Sequence, residues 1–537
     1  MSHEAPQSQP KFSRRSFLRD ASALGMGFLA PAILPGRKVT AQSSDQPLRA
    51  RLSIDPDHRL GTIDPNIYGN FIEHLGRCIY GGIYDEGSPL ADPDGLRNDV
   101  LEATRALRVT QLRWPGGNFS SGYHWRDGIG PKDQRPTRYD LAWFQREPNT
   151  YGTDEFVATC RKLGTEPYIC VNMGTGTLDE AAQWVEYCNH AGGTYISDLR
   201  KKYGHAETYN VKYWGLGNEV WGNWQIGHKN ADDYAKAAVE FAKVMKWEDP
   251  TIKLVACGNG DPSWDRPVLD ALVGHVEYIS AHHYTNADDL KDYYEILGSV
   301  AQLETTIRNS ALTAEAVSVR LRKPTPVWTA LDEWNIIYNW SDGGKRDDVH
   351  KFEIPYNLRD ALWVAAALNC IQRHCRTVRL ANLAQLVNVI APIYTTPTGM
   401  LLRTIYYPLA LYANHSGPLG VEVAVESPRF TTQHFADRPY LDASATYDEA
   451  QRRITLAVVN LRKEGDIVGA IELAGVRARP GGRAYQITGP SPDTQNSFEN
   501  PHAVITQEVK FDGAGDHFEI RFPRHSITFL EFGIEAR

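Results

Sequence analysis

The chain has 537 residues, of which 42% are hydrophobic and 23% charged, with a formal net charge of −8. That length accommodates a barrel of roughly 250 residues or more and a second domain of about 100–150. The acidic balance leaves no basic stripe to neutralise phosphates, which argues against nucleic acid as a partner.

The first forty residues differ in kind from the rest. Ser13-Arg14-Arg15-Ser16-Phe17-Leu18-Arg19 is a twin-arginine pattern, followed by the small apolar run Ala21 to Leu34 and by Val39-Thr40-Ala41. Residues 1–41 are read as a Tat-type signal peptide cleaved near Ala41, which sends the protein to the periplasm or beyond the cell. The apolar run is short and rich in Ala, Gly and Pro, too poor to span about 30 Å of hydrocarbon as a stable anchor. Its loss removes six Lys/Arg and two Asp/Glu and takes the formal charge from −8 to −12. Residues 42–62 form a linker and a strand, with the run Arg49 to Ile54 expected to join a later sheet.

Between residues 63 and 395, β-rich runs alternate with helical patterns. The predicted strands are Asn66–Ile72, Arg108–Trp114, Glu166–Asn172, Val211–Leu216, Thr251–Cys257, Glu277–His282, Pro326–Leu331 and Thr377–Leu386. Helices are predicted over Ala231 to Glu248, with Tyr234, Ala238, Phe241 and Met245 on one face, and over Arg359 to His374. Eight such alternations predict an α/β fold, a (β/α)₈ TIM barrel. From residue 396 onward, Arg453–Val459, Ile467–Leu473 and His517–Phe522 read as strands, with no long amphipathic helix, and predict an antiparallel, jelly-roll-like β-sandwich. Cys78, Cys160, Cys170, Cys188, Cys257, Cys370 and Cys375 are scattered without a C-x-x-C pair, so neither a zinc site nor a disulfide framework is indicated.

In a barrel of this kind all the βα loops open on one face. Lys212-Tyr213-Trp214-Gly215-Leu216-Gly217-Asn218-Glu219 ends the fourth predicted strand, and Val327 to Asn335, with Glu333 flanked by Trp334, ends the seventh. Taken alone, Glu219 has a rival reading as a helix-capping or surface residue, and Glu333 as half of a structural ion pair. Together they satisfy what cleavage of a glycosidic bond needs: an acid for the leaving oxygen and a carboxylate across the anomeric carbon. His282-His283 suggests metal, but adjacent strand residues point to opposite faces and no third ligand stands at metal spacing. No metal or other cofactor is expected. Trp214 and Trp221 fit either a sugar platform or the core.

An Asn-Glu after strand four and a Glu ending strand seven resemble the large clan of retaining barrel glycosidases. Four further segments, Ile67 to Arg77, Arg113-Trp114-Pro115-Gly116-Gly117-Asn118-Phe119, Ile279 to Tyr284 and Leu383 to Asn388, resemble glycoside hydrolase family 51, the α-L-arabinofuranosidases. The resemblance covers the barrel in the family's order. It implies an exo-acting retaining enzyme that releases arabinofuranose from arabinan- or arabinoxylan-type glycans, with Glu219 as acid/base and Glu333 as nucleophile. It also implies that Glu73, Asn118, Asn218, Tyr284 and Gln385 hold the furanose hydroxyls in the −1 subsite, that His282 supports one of the carboxylates, and that the subunits assemble as homo-oligomers, typically hexamers. Partial burial and the nearby negative Glu333 are expected to raise the pKa of Glu219 so that it holds a proton. The family pattern carries another aromatic after Asn335, where this chain has Ile336-Ile337, which puts stacking on the leaving-group side in doubt. Rival readings are an endo-β-glucanase or xylanase of the same clan, a carbohydrate-binding protein without catalysis, and a metal hydrolase.

Overall fold

The structure, a computed structural model, describes residues 47–323, 326–338, 348–513 and 515–536; the predicted signal peptide lies outside them. Eight parallel strands close into a barrel: β1 Gly69–Phe71, β2 Gln111–Trp114, β3 Glu166–Val171, β4 Tyr213–Leu216, β5 Lys253–Ala256, β6 Tyr278–Asn286, β7 Trp328–Ile337 and β8 Val378–Ala384. Each overlaps one predicted strand. β8 pairs with β1 to seal the ring. Tyr168, Tyr213, Val255, Tyr278, Ala330 and Leu380 fill its lower interior, so the barrel is a packed core rather than a pore.

The outer helices follow from their sequence patterns. Asn230 caps the helix Ala231–Glu248 by accepting from the Asp233 amide, and Tyr234, Ala238, Phe241 and Met245 are buried along its inner stripe. The helix Leu358–Arg373 is buried on nearly all sides because it is wedged between the barrel and the second domain. Its Asn369 donates to Asp442 at 2.8 Å and accepts from Ser444, both in the second domain.

That domain is built on one ten-stranded sheet. The segment Leu48–Thr62 runs through it, antiparallel to Leu419–Glu426 and parallel to Ile467–Leu473. The sheet rolls over an apolar core including Leu52, Val421, Leu456, Ile471, Phe522 and Phe532. Phe518, in the last strand of the path, meets Phe532 edge-on at 5.7 Å and closes the roll. A helix the sequence reading did not anticipate, Tyr406–His415, sits between barrel and sheet. Its Tyr412 packs edge-on against Phe529 and donates to the Ala365 carbonyl, so two of its sides are covered and the usual amphipathic stripe is missing. No helix among the described residues is long and apolar enough to cross a membrane.

Two barrel strands run further than their sequence suggests. β6 continues to Asn286 and β7 to Ile337, so Glu333 lies inside its strand rather than at its end. The register of β7 slips by one residue between Ala330 and Glu333 against β6, and between Leu331 and Trp334 against β8. Such a bulge lets two consecutive residues face the same side. Asp332 and Glu333 therefore both face the barrel interior.

Candidate active site

The site forms where β1, β2, β4, β6, β7 and β8 reach the upper rim. After β4, Gly217 takes φ of 79° and Glu219 a φ of 40°, a left-handed conformation rare for a side chain of this size. That turn presents both oxygens of Glu219. Oε1 lies 2.9 Å from His282 Nδ1, and Oε2 accepts from the Trp224 indole at 3.1 Å. Glu333 faces it. Its Oε1 accepts from Arg113 Nη1 at 2.6 Å and its Oε2 from the Tyr284 hydroxyl at 2.8 Å. One carboxylate oxygen from each glutamate and a ring nitrogen of His282 lie within 4.8 Å of one another. So near an approach of single oxygens fits the roughly 5–5.5 Å between carboxyl groups of retaining glycosidases better than the roughly 6.5–9.5 Å of inverting ones.

Around this pair, Glu73 is buried, accepting from the Phe119 amide, the Trp143 indole at 2.8 Å and Gln385 Nε2 at 3.0 Å. The loop Gly116-Gly117 passes between the carboxylates. A Cβ at Gly116 would stand 2.8 Å from Glu73 Cγ, and one at Gly117 would stand 3.1 Å from Glu333 Oε1. Glycine is required here for close approach. Asn118 is half-buried and opens the short 3-10 turn Asn118–Gly122 directly after this loop. Asn218 accepts from Arg113 Nη2 at 2.6 Å. Its Nδ2, like Gln385 Oε1, is buried without a protein partner. A donor and an acceptor left open beside two carboxylates suit the hydroxyls of a sugar. All eight residues singled out from the sequence thus belong to the upper rim, although Asn118 makes no side-chain hydrogen bond among the described residues.

The electrostatics correct one expectation. Burial pushes Glu219 up, but the hydrogen bond and positive charge of His282 outweigh it and hold Glu219 below the usual carboxylate range. Burial alone would neutralise His282, yet Glu333, Asp332 and Glu219 surround it and push it up to about 10. Asp332, whose desolvation is opposed by Arg113 and His282, falls to about 2. Glu73 is pushed up to about 8 by burial, so it is mostly protonated near neutrality. Glu219, His282 and Glu333 also form a cluster of metal-ligating types. A cationic imidazole with carboxylates at both nitrogens offers no lone pair, so this set suits proton transfer better than metal binding.

Four residues of the site escaped the sequence reading. Arg113 is 1% exposed on β2 and bridges Glu333 and Asn218; a lone Arg within Leu112-Arg113-Trp114 is the signal that could have marked it. Asp332 accepts from Tyr168 at 2.8 Å and from Ser280, but strict strand alternation would have turned it outward. Trp143 and Trp224 lie on loops, where no periodicity applies. Of the undecided tryptophans, Trp214 is fully buried core, whereas Trp221 is half-buried and meets Trp224 edge-on at 5.2 Å. Ile336 and Ile337 are both buried in the main core, so the aliphatic pair completes packing and lines no open leaving-group surface.

Two family models match the chain, that of the α-L-arabinofuranosidase 1 domain over residues 103–301 and that of the α-L-arabinofuranosidase C-terminal domain over residues 332–526. The chain is 40% identical over 506 residues to α-L-arabinofuranosidase C of Emericella nidulans, covering 90% of this chain and 97% of that relative. The chain belongs to the α-L-arabinofuranosidases of glycoside hydrolase family 51. Another family relative, the intracellular exo-α-(1→5)-L-arabinofuranosidase 1 of Bacillus subtilis, is 42% identical over 493 residues, which cover 88% of this chain and 97% of the relative. Among solved family 51 structures, the thermostable α-L-arabinofuranosidase from Thermotoga petrophila superposes with a TM-score of 0.83 at 44% identity, covering 90% of this chain and 99% of that one.

Proposed function

We propose that this protein is an exo-acting retaining α-L-arabinofuranosidase that removes terminal arabinofuranosyl residues from arabinan- or arabinoxylan-type glycans. The observation that carries this reading is the apposition of Glu219 and Glu333 within 4.8 Å, each held by its own N–H or O–H donors. Glu333, ionic with Arg113, attacks the anomeric carbon while the glycosidic oxygen leaves with a proton from Glu219. The resulting ester is cleaved by water, from which Glu219 takes a proton. Asn218 Nδ2, Gln385, Glu73, Asn118 and Tyr284 hold the furanose hydroxyls. The near-complete burial of Glu73 and Gln385 supports a closed pocket for one sugar rather than the open groove of an endo-glucanase or xylanase.

The test is a panel of aryl glycosides of arabinofuranose, xylose, glucose and galactofuranose, with the anomeric product followed by proton NMR. Selective cleavage of the α-L-arabinofuranoside with retention is expected, and preferred release of oligosaccharides from linear glucan would sink the reading.

Export through the Tat pathway and assembly into a hexamer belong to the same proposal. All seven cysteines are buried and unpaired, a state that supports export of an already folded protein. Replacing Arg14 and Arg15 with Lys should retain the enzyme in the cytoplasm, and sedimentation of the mature protein reads the number of subunits.

A further inference from the structure

Glu219 poses a problem for an acid catalyst. Its Oε2 accepts from the Trp224 indole, and its Oε1 lies 2.9 Å from His282 Nδ1, a contact in which a single proton is shared between carboxyl and imidazole. A proton must nevertheless reach the leaving oxygen through this group. The side chain within reach that can supply one is His282, whose Nδ1 lies 2.9 Å from Glu219 Oε1 and 3.6 Å from Glu333 Oε2. Its Nε2 lies 3.3 Å from Asp332 Oδ1. Asp332 in turn accepts from Tyr168 and Ser280, which fix it as an anion on the far side of the ring.

We propose that in the substrate-free enzyme the proton destined for the leaving oxygen resides on His282, with Asp332 anchoring the imidazole through Nε2. This rests on the hydrolase reading above and goes beyond it in assigning where the acid equivalent is stored. As the sugar is seated and water is displaced from Glu219, the Nδ1 proton passes to Glu219 Oε1. Glu219 then transfers it to the glycosidic oxygen, which keeps the electron pair of the breaking C–O bond while Glu333 forms the new bond to carbon. His282 is left neutral with its remaining proton on Nε2, toward Asp332. In the second half-reaction the proton taken from water returns through Glu219 to Nδ1, and the site ends as it began. The net charge of the cluster is the same whether the proton sits on His282 or Glu219, so the transfer needs no ion from solvent.

The surrounding charges favour this placement. Glu219 approaches from the loop after β4, Asp332 and Glu333 from β7, and Arg113 from β2 beyond Glu333. Tyr284, on the strand of His282, donates to Glu333, and Cys257, after β5, is a buried thiol pushed well above its ordinary range. No cation other than Arg113 adjoins the three carboxylates among these partners, so the imidazolium completes their neutralisation. His282 acts through Glu219 and does not touch the sugar at its reacting atoms; it is a positioning and proton-holding residue.

Neutron diffraction on the wild-type, substrate-free enzyme at neutral pD tests this directly. Deuterium is expected on both Nδ1 and Nε2 of His282 and on neither oxygen of Glu219. A deuteron on Glu219 with a singly deuterated His282 would overturn the proposal. In parallel, His282→Gln should reduce kcat/KM about 10²-fold for a phenyl arabinofuranoside, whose leaving group needs the acid, but less than about threefold for the 2,4-dinitrophenyl analogue. Equal losses on both substrates would mean a purely structural role. If the wild type cleaves no arabinofuranoside at all, the hydrolase reading itself fails, an outcome separate from either of these.

Discussion

The rolled sheet and the mouth of the barrel are both made of paired strands with sealed interiors, yet they use the strand in opposite ways. In the sheet, Ile467–Leu473 alternates without exception, with Ile467, Gly469, Ile471 and Leu473 buried and the residues between them half-exposed. In β7 the register slip turns Asp332 and Glu333 to the same side, and the interior they enter is charged. Regular pleating suffices to hide apolar area. Placing two carboxylates against one arginine and one histidine takes a break in it, and burial of those charges is tolerable only because each is paired and hydrogen-bonded.

The largest expected effect separating the regions is catalytic. Glu333→Gln keeps the shape and the contact with Arg113 but removes the nucleophile, so kcat/KM on an aryl arabinofuranoside should fall by about 10⁴-fold or more while the melting temperature changes little. Next comes Arg113→Met. It strands Asp332 and Glu333 without their cation, and urea unfolding should reveal a loss of about 3–5 kcal/mol together with loss of activity. A mutation of similar thermodynamic size in the sheet behaves differently: Leu456→Ala, at a fully buried position, should cost about 3 kcal/mol yet leave kcat/KM of the folded protein unchanged. Coupled losses there would erase the distinction between scaffold and site.

Smaller effects sharpen the contrast. Because Glu73 is pushed from the ordinary carboxylate range up to about 8, the folded state holds its proton more tightly than the unfolded chain. Its contribution is therefore fully present below about pH 4.5 and is lost as pH rises toward 8. Glu73→Gln should flatten the fall of melting temperature across that window, and an unchanged slope would show that Glu73 is ionised. At the bottom of the scale stands the ion pair Arg49–Glu519 on the sheet surface, 2.6 Å long but with side chains 74% and 54% exposed. Arg49→Ala should change stability by less than about 1 kcal/mol, against about 3–5 kcal/mol for Arg113→Met inside the barrel, where the ion pair is equally short.

Much of the fold was legible because period and punctuation are local. The helix Ala231–Glu248 agrees at both ends with its sequence reading, since Asn230 and the 3.6-residue stripe are written in the chain. The helix Tyr406–His415 was missed for the opposite reason: with two faces covered, its apolar residues no longer form a stripe. Among site residues, Glu219, Glu333 and the Gly116-Gly117 loop stood out through motif and position. Arg113 and Asp332 did not, because what they do depends on partners on other strands.

The sequence by itself determined that eight strands alternate with helices, that two glutamates share the rim of one barrel, and that a β-rich domain follows. It could do so because hydrophobic period, capping residues and glycines act over a few neighbours. Only the tertiary structure decided that β7 bulges, that Asp332 turns inward beside Glu333, and that His282 rather than Glu219 is the more basic partner. Those outcomes arise from burial and from charges brought together across as many as 220 positions, as in Arg113 and Glu333, and no local pattern encodes such a field.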